Sequence, residues 1–221
     1  MDITRKTIIS NGYNIPCVEI EHPESKGIII FIHGYGGNKE ELIGPGWRIS
    51  EFGFKSCIID LPGHGESNGI FDNKTDKYVE TVIDYYGKHT KKLAVIGHSI
   101  GGRLALVSKA KMVIGISPTI IKEFSNETKA MITDLRSYRV TESNADTLWE
   151  LHAKLPDYDF TKKEKSLILY GTRDVQEIIN ACKKTKENFT EVFEIEKATH
   201  GDILVNEKVI SIISEHLIKW M

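Results

Sequence analysis

A chain of 221 residues can bury one sizeable core as a single domain, and its 29 Lys and Arg against 31 Asp and Glu, a formal net charge of -2, exclude capture of nucleic acid or anionic membrane by bulk charge. Cys17, Cys57 and Cys182 are odd in number and widely spaced, which argues against a disulfide framework and against a zinc site. The opening "MDITRKTIIS" lacks the apolar run of a secretory signal, and no later segment approaches the roughly 20 apolar residues of a spanning helix, so the expectation is a cytoplasmic protein without membrane attachment.

In chain order, "KTIISNGYNIPCVEI" reads as two strands joined at Asn11-Gly12, the pair that best tolerates the positive φ angles of a tight hairpin. Short β-branched runs then alternate with helical patterns. "GIIIFIHG" precedes a helix from about Lys39 to Glu51, and "KSCIID" precedes one from about Lys74 to His89. "KLAVIGHS" leads into a helix after Ser99 and is followed by "KMVIGIS". "SLILYG" is followed by a helix from about Val175 to Asn188, and "TEVFEIE" by a last helix from about Ile203 to Lys219. Fully apolar strands such as Ile28 to Ile32 need cover on both faces. The fold class is therefore α/β, a doubly wound, mostly parallel sheet with an antiparallel hairpin at its N-terminal edge. Residues 118–165 break the rhythm. They lack a convincing strand, and "KEFSNETKAMITDLRSY" and "NADTLWELHAKL" carry apolar residues at helical spacing, as in a small helical insertion over the strand ends.

Gly97-His98-Ser99-Ile100-Gly101 matches G-x-S-x-G with an apolar strand before it and a helix after it. Its glycines let strand and helix approach closely while the serine stands exposed on a sharp turn, the arrangement of a raised nucleophile. A glycine-rich strand-to-helix turn with an incidental serine is the bland reading. A serine hydroxyl needs a base, and the base needs an orienting group. Asp174 in "LILYGTRD" and His200 in "EKATHGD" both fall just past strands, at the edge where Ser99 emerges. Asp174 could serve only as a helix N-cap. Asp60 and Asp202 are rival acids, and His33, His64, His98 and His152 rival bases, although His33, His64 and His98 lie in glycine-rich turns suited to tying loops together. The tetrahedral intermediate of acyl transfer needs backbone donors; the amides of Tyr35, in "FIHGYGGNKEE", and of Ile100 are the candidates.

The set "HGYGGNKE", "DLPGHGES", "GHSIGG", "GTRD" and "ATHGD", in this order, resembles the α/β-hydrolase family from Lys26 to the C-terminus. The resemblance implies Ser99 as nucleophile, Asp174 as acid, His200 as base, and oxyanion amides from Tyr35 and Ile100. It implies a mainly structural loop at Asp60, Gly63, Gly65 and Ser67, and a short cap at residues 118–165 over a small or open pocket. A serine, where relatives that dehalogenate or open epoxides have aspartate, points to hydrolysis of a carboxylic ester without a cofactor or metal. Phe124, Met131, Trp149 and Leu151 are candidates to line the acyl pocket or to form the cap's own core. The expected partner is a small acyl compound. A thioester, a peptide or a carbon–carbon bond are alternative substrates for the same triad, and a non-catalytic ligand-binding member of the fold is the alternative of another class.

Overall fold

The computed structural model describes residues 1–221 except Phe160, Lys162, Asn188 and Thr190, so the expected helix end at Asn188, the expected strand start at Thr190 and two positions of the insertion lie outside the described residues. Strands β1 (Asp2–Ser10) and β2 (Tyr13–Glu21) form the hairpin, with Asn11 and Gly12 at φ 47° and 80°. Then come β3 (Ile28–Ile32), β4 (Lys55–Ile59), β5 (Leu93–His98), β6 (Met112–Ile116), β7 (Lys165–Arg173) and β8 (Val192–Thr199). They make one eight-stranded sheet in the order β1-β2-β4-β3-β5-β6-β7-β8. The pairs β1·β2 and β2·β4 are antiparallel and the rest parallel. The doubly wound sheet and its hairpin edge are as read from the sequence.

Side-chain alternation divides the core between the two faces. Ile29, Phe31, Ile58 and Ile96 pack under helices α1 (Ile43–Ser50) and, at the C-terminus, α7 (Glu207–Trp220). Ile30, Ile32, Cys57 and Val95 pack under α2 (Thr75–Gly87), α3 (Ile100–Val107) and α6 (Gln176–Lys186). Two helices start later than their apolar periodicity predicts. Lys39–Leu42 is a 3-10 turn ahead of α1, where Pro45 takes one of the first-turn positions whose N–H has no helical partner. Asp202–Val205 is likewise a 3-10 turn, and Asn206 caps α7 by accepting from the Lys208 amide.

Between β6 and β7 the chain leaves the sheet and forms α4 (Asn126–Arg136), a 3-10 turn at Ser137–Arg139, and α5 (Thr147–Lys154). Its middle is tied to the loop after β4: the Thr141 amide donates to the Gly63 carbonyl (2.8 Å), the Phe71 amide to Thr141 (2.8 Å) and the Ser143 amide to Phe71 (3.2 Å). No helix among the described residues is long and apolar enough to cross a membrane.

Candidate active site

The parallel strands β3, β5, β7 and β8 deliver four loops to one edge of the sheet. At the end of β5 the chain turns through Ser99, held at φ 57° and ψ -121°, into α3. A left-handed backbone at a residue with a side chain costs on the order of 1–3 kcal/mol and persists only where neighbours fix it. Here they do: the Ser99 amide donates to Ile116 (3.0 Å), and its carbonyl accepts from Arg103 (3.1 Å) and Thr119 (3.2 Å). The turn closes only without side chains on either flank. A Cβ on Gly97 would stand 2.0 Å from the Gly101 oxygen, and one on Gly101 would stand 2.4 Å from the His33 oxygen.

Asp174 and His200 come together at the same edge. The pairing of β7 with β8 slips between Gly171 and Arg173; such an irregularity re-aims the residues after it. His200 Nδ1 lies 2.7 Å from Asp174 Oδ1, with the carboxylate side chain fully buried and the imidazole about one-third exposed (31%). Burial opposes ionisation of Asp174, but the hydrogen bond and charge of His200 and the Val175 amide outweigh it and hold the carboxyl below its ordinary value. The bland N-cap role does not hold: Val175 is the cap residue of α6 and no side chain caps it, while Asp174 Oδ1 accepts from the adjacent Val175 amide (2.7 Å). Ser99, Ile100, His98, His200, Gly34 and Tyr35 all line one cavity of about 240 Å³.

The rival acids and bases have other occupations. Asp60, fully buried, accepts from the Lys39 ammonium (2.6 Å), the Lys39 amide (2.8 Å) and the Glu66 amide (2.8 Å), in the loop expected to be structural. Asp202 accepts from the Thr199 amide. His33 joins its own loop to the next by accepting from the Leu61 amide (3.0 Å), and His64 does the same by accepting from Gly36 (3.0 Å). His98 Nε2 is 2.7 Å from the His200 carbonyl oxygen and so ties β5 to the base's own loop. Burial pushes all three below the ordinary histidine range, His33 to about 4 and His64 and His98 to about 3, so they stay neutral. In the loop after β3, the Gly36 amide is taken by His64 and the Gly37 amide by Gly34 (3.0 Å). Tyr35 lies just before them on the cavity wall, and Ile100 is the first residue of α3, where helix geometry leaves the amide unpaired.

The insertion supplies the rest of the cavity. Phe124, Met131 and Trp149 line it as the sequence suggests, joined by Ile132, Leu135 and Leu148. Leu151 does not line it. At 100° per residue it sits about 200° around α5 from Trp149, and it is fully buried in the core against the sheet. Three polar contributions went unread in the sequence. Arg103 of α3, 1% exposed, donates to the carbonyls of Thr119 (3.1 Å), Ile121 (2.6 Å), Leu155 (3.1 Å) and Pro156 (3.3 Å), and so clamps both ends of the insertion. Tyr35 donates its hydroxyl to the Glu142 carboxylate (3.0 Å). His152, weighed only as a base, lies buried in the cavity wall with its ring stacked 6.1 Å from Trp149. A lone arginine in the apolar "IGGRLALV", and Trp149 and His152 three apart on one helix, were the available signals. Among the described residues, no cluster of His, Cys, Asp or Glu is placed to hold a metal ion.

Similarity to known proteins accords with this architecture. Residues 23–118 match the family described as serine aminopeptidase, S33. The chain is 28% identical over 98 residues to 2-succinyl-6-hydroxy-2,4-cyclohexadiene-1-carboxylate synthase of Enterobacter sp. (strain 638), covering 42% of this chain and 36% of that one. It is 28% identical over 110 residues to putative esterase/lipase 2 of Mycoplasma pneumoniae, covering 48% and 41%. It thus matches well under two thirds of the length of these two relatives. Est1E from Butyrivibrio proteoclasticus superposes with a TM-score of 0.75 at 19% identity, over 98% of both chains. By its sheet order, its strand-to-helix turn and the likeness to solved structures, the chain has the α/β-hydrolase fold.

Proposed function

We propose that the protein is a serine hydrolase of small carboxylic esters that works through an acyl-enzyme. The observation that carries this is Ser99, strained at the head of α3, opening into the same cavity as an imidazole oriented 2.7 Å from a buried carboxylate. Ser99 Oγ attacks the ester carbonyl, and His200 takes its proton and returns it to the leaving alcohol. Asp174 fixes the imidazole orientation and stabilises the imidazolium that forms. The Tyr35 and Ile100 amides receive the developing oxyanion, a contribution worth about 3 kcal/mol per donor in comparable sites. Water, activated in turn by His200, releases the acid. The reaction needs no cofactor, and the largely apolar lining from Phe124, Met131, Ile132 and Trp149 suits an acyl chain. Nothing in the balance of charge favours nucleic acid or membrane as a partner, and a small molecule in the cytoplasm is the substrate this reading implies.

Labelling with a fluorophosphonate probe, with the adduct located by mass spectrometry, tests the reading without knowledge of the substrate. The expected result is an adduct on Ser99 that is lost in Ser99→Ala and strongly slowed in His200→Ala, with ester turnover falling at least about a thousandfold in either. A folded wild-type protein that takes no label and turns over no ester would leave the ligand-binding alternative in its place. Matched oxygen-ester, thioester and amide kinetics then define the acyl bond.

A further inference from the structure

Histidines aside, the cavity wall carries one cation and one anion, and the hydrolytic reading uses neither. Among the described residues these are Arg136, the last residue of α4, and Glu41, in the 3-10 turn ahead of α1. Both side chains are exposed, and neither is held by an ion pair or a side-chain hydrogen bond among the described residues. The loop that carries the Tyr35 amide is shaped around Arg136. Gly36 stands at φ 68°, and a Cβ there would lie 2.8 Å from the Arg136 Cβ, 3.0 Å from its carbonyl oxygen and 3.1 Å from its Cδ, so the aliphatic stem rests on the loop. Two residues earlier, a Cβ on Gly34 would lie 3.1 Å from the Ser99 Cβ. Two residues of chain span at most about 7 Å, which puts the Arg136 stem roughly one short substrate's length from the nucleophile.

The two charges define the occupant. Glu41 lies on the other side of the same glycine pair, since a Cβ on Gly37 would stand 2.7 Å from its Oε2. Of the two, Arg136 is the charge felt at the catalytic edge: after burial and His200, it is a further influence that keeps the His98 ring neutral. A guanidinium presents a planar fork of donors that matches a carboxylate with two parallel bonds. An uncharged chain leaves that fork to water. A phosphate dianion brings two negative charges to a single cation with Glu41 close by, whereas one carboxylate matches one guanidinium. We propose that Arg136 selects the substrate by pairing with a carboxylate carried a few bonds from the ester carbonyl, and that the preferred substrates are carboxylate-bearing esters such as half-esters of short dicarboxylic acids. The guanidinium receives the carboxylate at the mouth, Met131 and Leu135 of the same helix border the intervening carbons, and Glu41 turns away a second negative charge.

This rests on the cavity being the substrate site of a serine esterase, and the experiment separates the two claims. Hydrolysis at neutral pH is followed by pH-stat for methyl esters whose chains end, after a few methylenes, in a carboxylate, a primary amide or an ammonium. Active enzyme is titrated by fluorophosphonate in each preparation. The expected result is a kcat/KM for the best-placed carboxylate ester about fivefold or more above that of its isosteric amide, the upper end for a solvent-exposed ion pair. The ratio is expected to fall to within about twofold of one in Arg136→Gln, to be kept in part by Arg136→Lys, which retains the charge without the planar fork, and to rise in Glu41→Gln. In the wild type it is expected to fall as sodium chloride approaches about 1 M, where the screening length is about 3 Å. Comparing two substrates within one variant cancels any change in the amount of folded enzyme. A wild-type ratio near or below one at every chain length, a preference for the ammonium esters, or a ratio that survives Arg136→Gln overturns the proposal while leaving the esterase reading intact. Absence of both labelling and turnover overturns the esterase reading itself.

Discussion

The edge of the sheet and the insertion that covers it build one cavity by different means. At the sheet edge the decisive features are in the backbone: the left-handed Ser99, the close pass of Gly97 and Gly101, and amides at Ile100 and in the loop of Tyr35. On the insertion side they are in side chains, namely the guanidinium of Arg103 on four carbonyls, the Tyr35 hydroxyl on Glu142, and the unpaired Nδ1 of His152. A backbone fixed from several directions has one shape, and changing it destroys the chemistry. A surface held by a few polar side chains can be retuned, and changing it alters what is bound.

Acid is the most forceful way to break the comparison, because it strikes both halves unequally. His33, His64 and His98 tie the loops of the sheet edge, and His152 sits in the insertion; all four are buried and depressed to about 4 or 3. Between those values and the unfolded histidine value near 6.5, the unfolded chain binds more protons than the folded one. Stability is therefore full above about pH 6.5 and falls as the pH drops, by about 1.4 kcal/mol per pH unit for each histidine. Four together can remove an ordinary stability of about 5–15 kcal/mol within a few pH units. Urea titrations between pH 7 and pH 4 are expected to show this slope, lessened by one histidine's share in His152→Phe. A flat profile would mean that these rings are protonated in the fold.

Next in size is a methyl group at the turn. In Gly97→Ala the new Cβ meets the Gly101 carbonyl oxygen at 2.0 Å, so β5 and α3 must part and carry Ser99 with them. A displacement on the scale of an ångström costs about a hundredfold in rate. Ester turnover and fluorophosphonate labelling are expected to fall together by at least that factor. Met131→Ala at the half-exposed mouth (44%) is expected to change turnover by only a few fold. Equal losses in the two variants would abolish the distinction drawn between the two regions.

The same distinction explains what could be read before the structure. Apolar runs such as Ile28–Ile32 dictate a sheet covered on both faces, and Gly97, Ser99 and Gly101 dictate a tight turn. Both are local consequences of residue type, so fold and candidate triad were legible. The insertion is different. Its helices were visible as periodicity, but whether Leu151 or His152 faced the cavity depends on the rotation of α5 against the sheet, which periodicity does not fix. Arg103 finds its acceptors 16 to 53 residues away, and Tyr35 finds Glu142 across 107 residues. Contacts of that span are set by tertiary placement and leave no local pattern.

Arg103→Met sharpens the comparison from the insertion side. The methionine fills much of the space but leaves four carbonyls without their donor, which at the low end of the cost of unpaired groups destabilises the fold by about 4 kcal/mol. Proteolysis is expected to open first within residues 118–165, with the sheet persisting; cutting elsewhere first would show that Arg103 supports the sheet instead.

The smallest expected effect falls where the two regions touch. Tyr35 carries the amide proposed for the oxyanion and donates its hydroxyl to Glu142, so one residue joins the insertion to the candidate catalytic edge. Burial raises the Glu142 carboxyl, and the Tyr35 hydroxyl works against that rise by stabilising the ionised form. In Glu142→Gln an amide oxygen still accepts, but a charge-assisted bond becomes a neutral one, a loss of about 1 kcal/mol or less. Because the bond positions the Tyr35 loop rather than the acyl chain, the change is expected in kcat with little change in KM. Tyr35→Phe should give the same signature, and the double variant should be no worse than either single one. Additive losses would mean that the two side chains act independently and that the insertion leaves the oxyanion loop untouched.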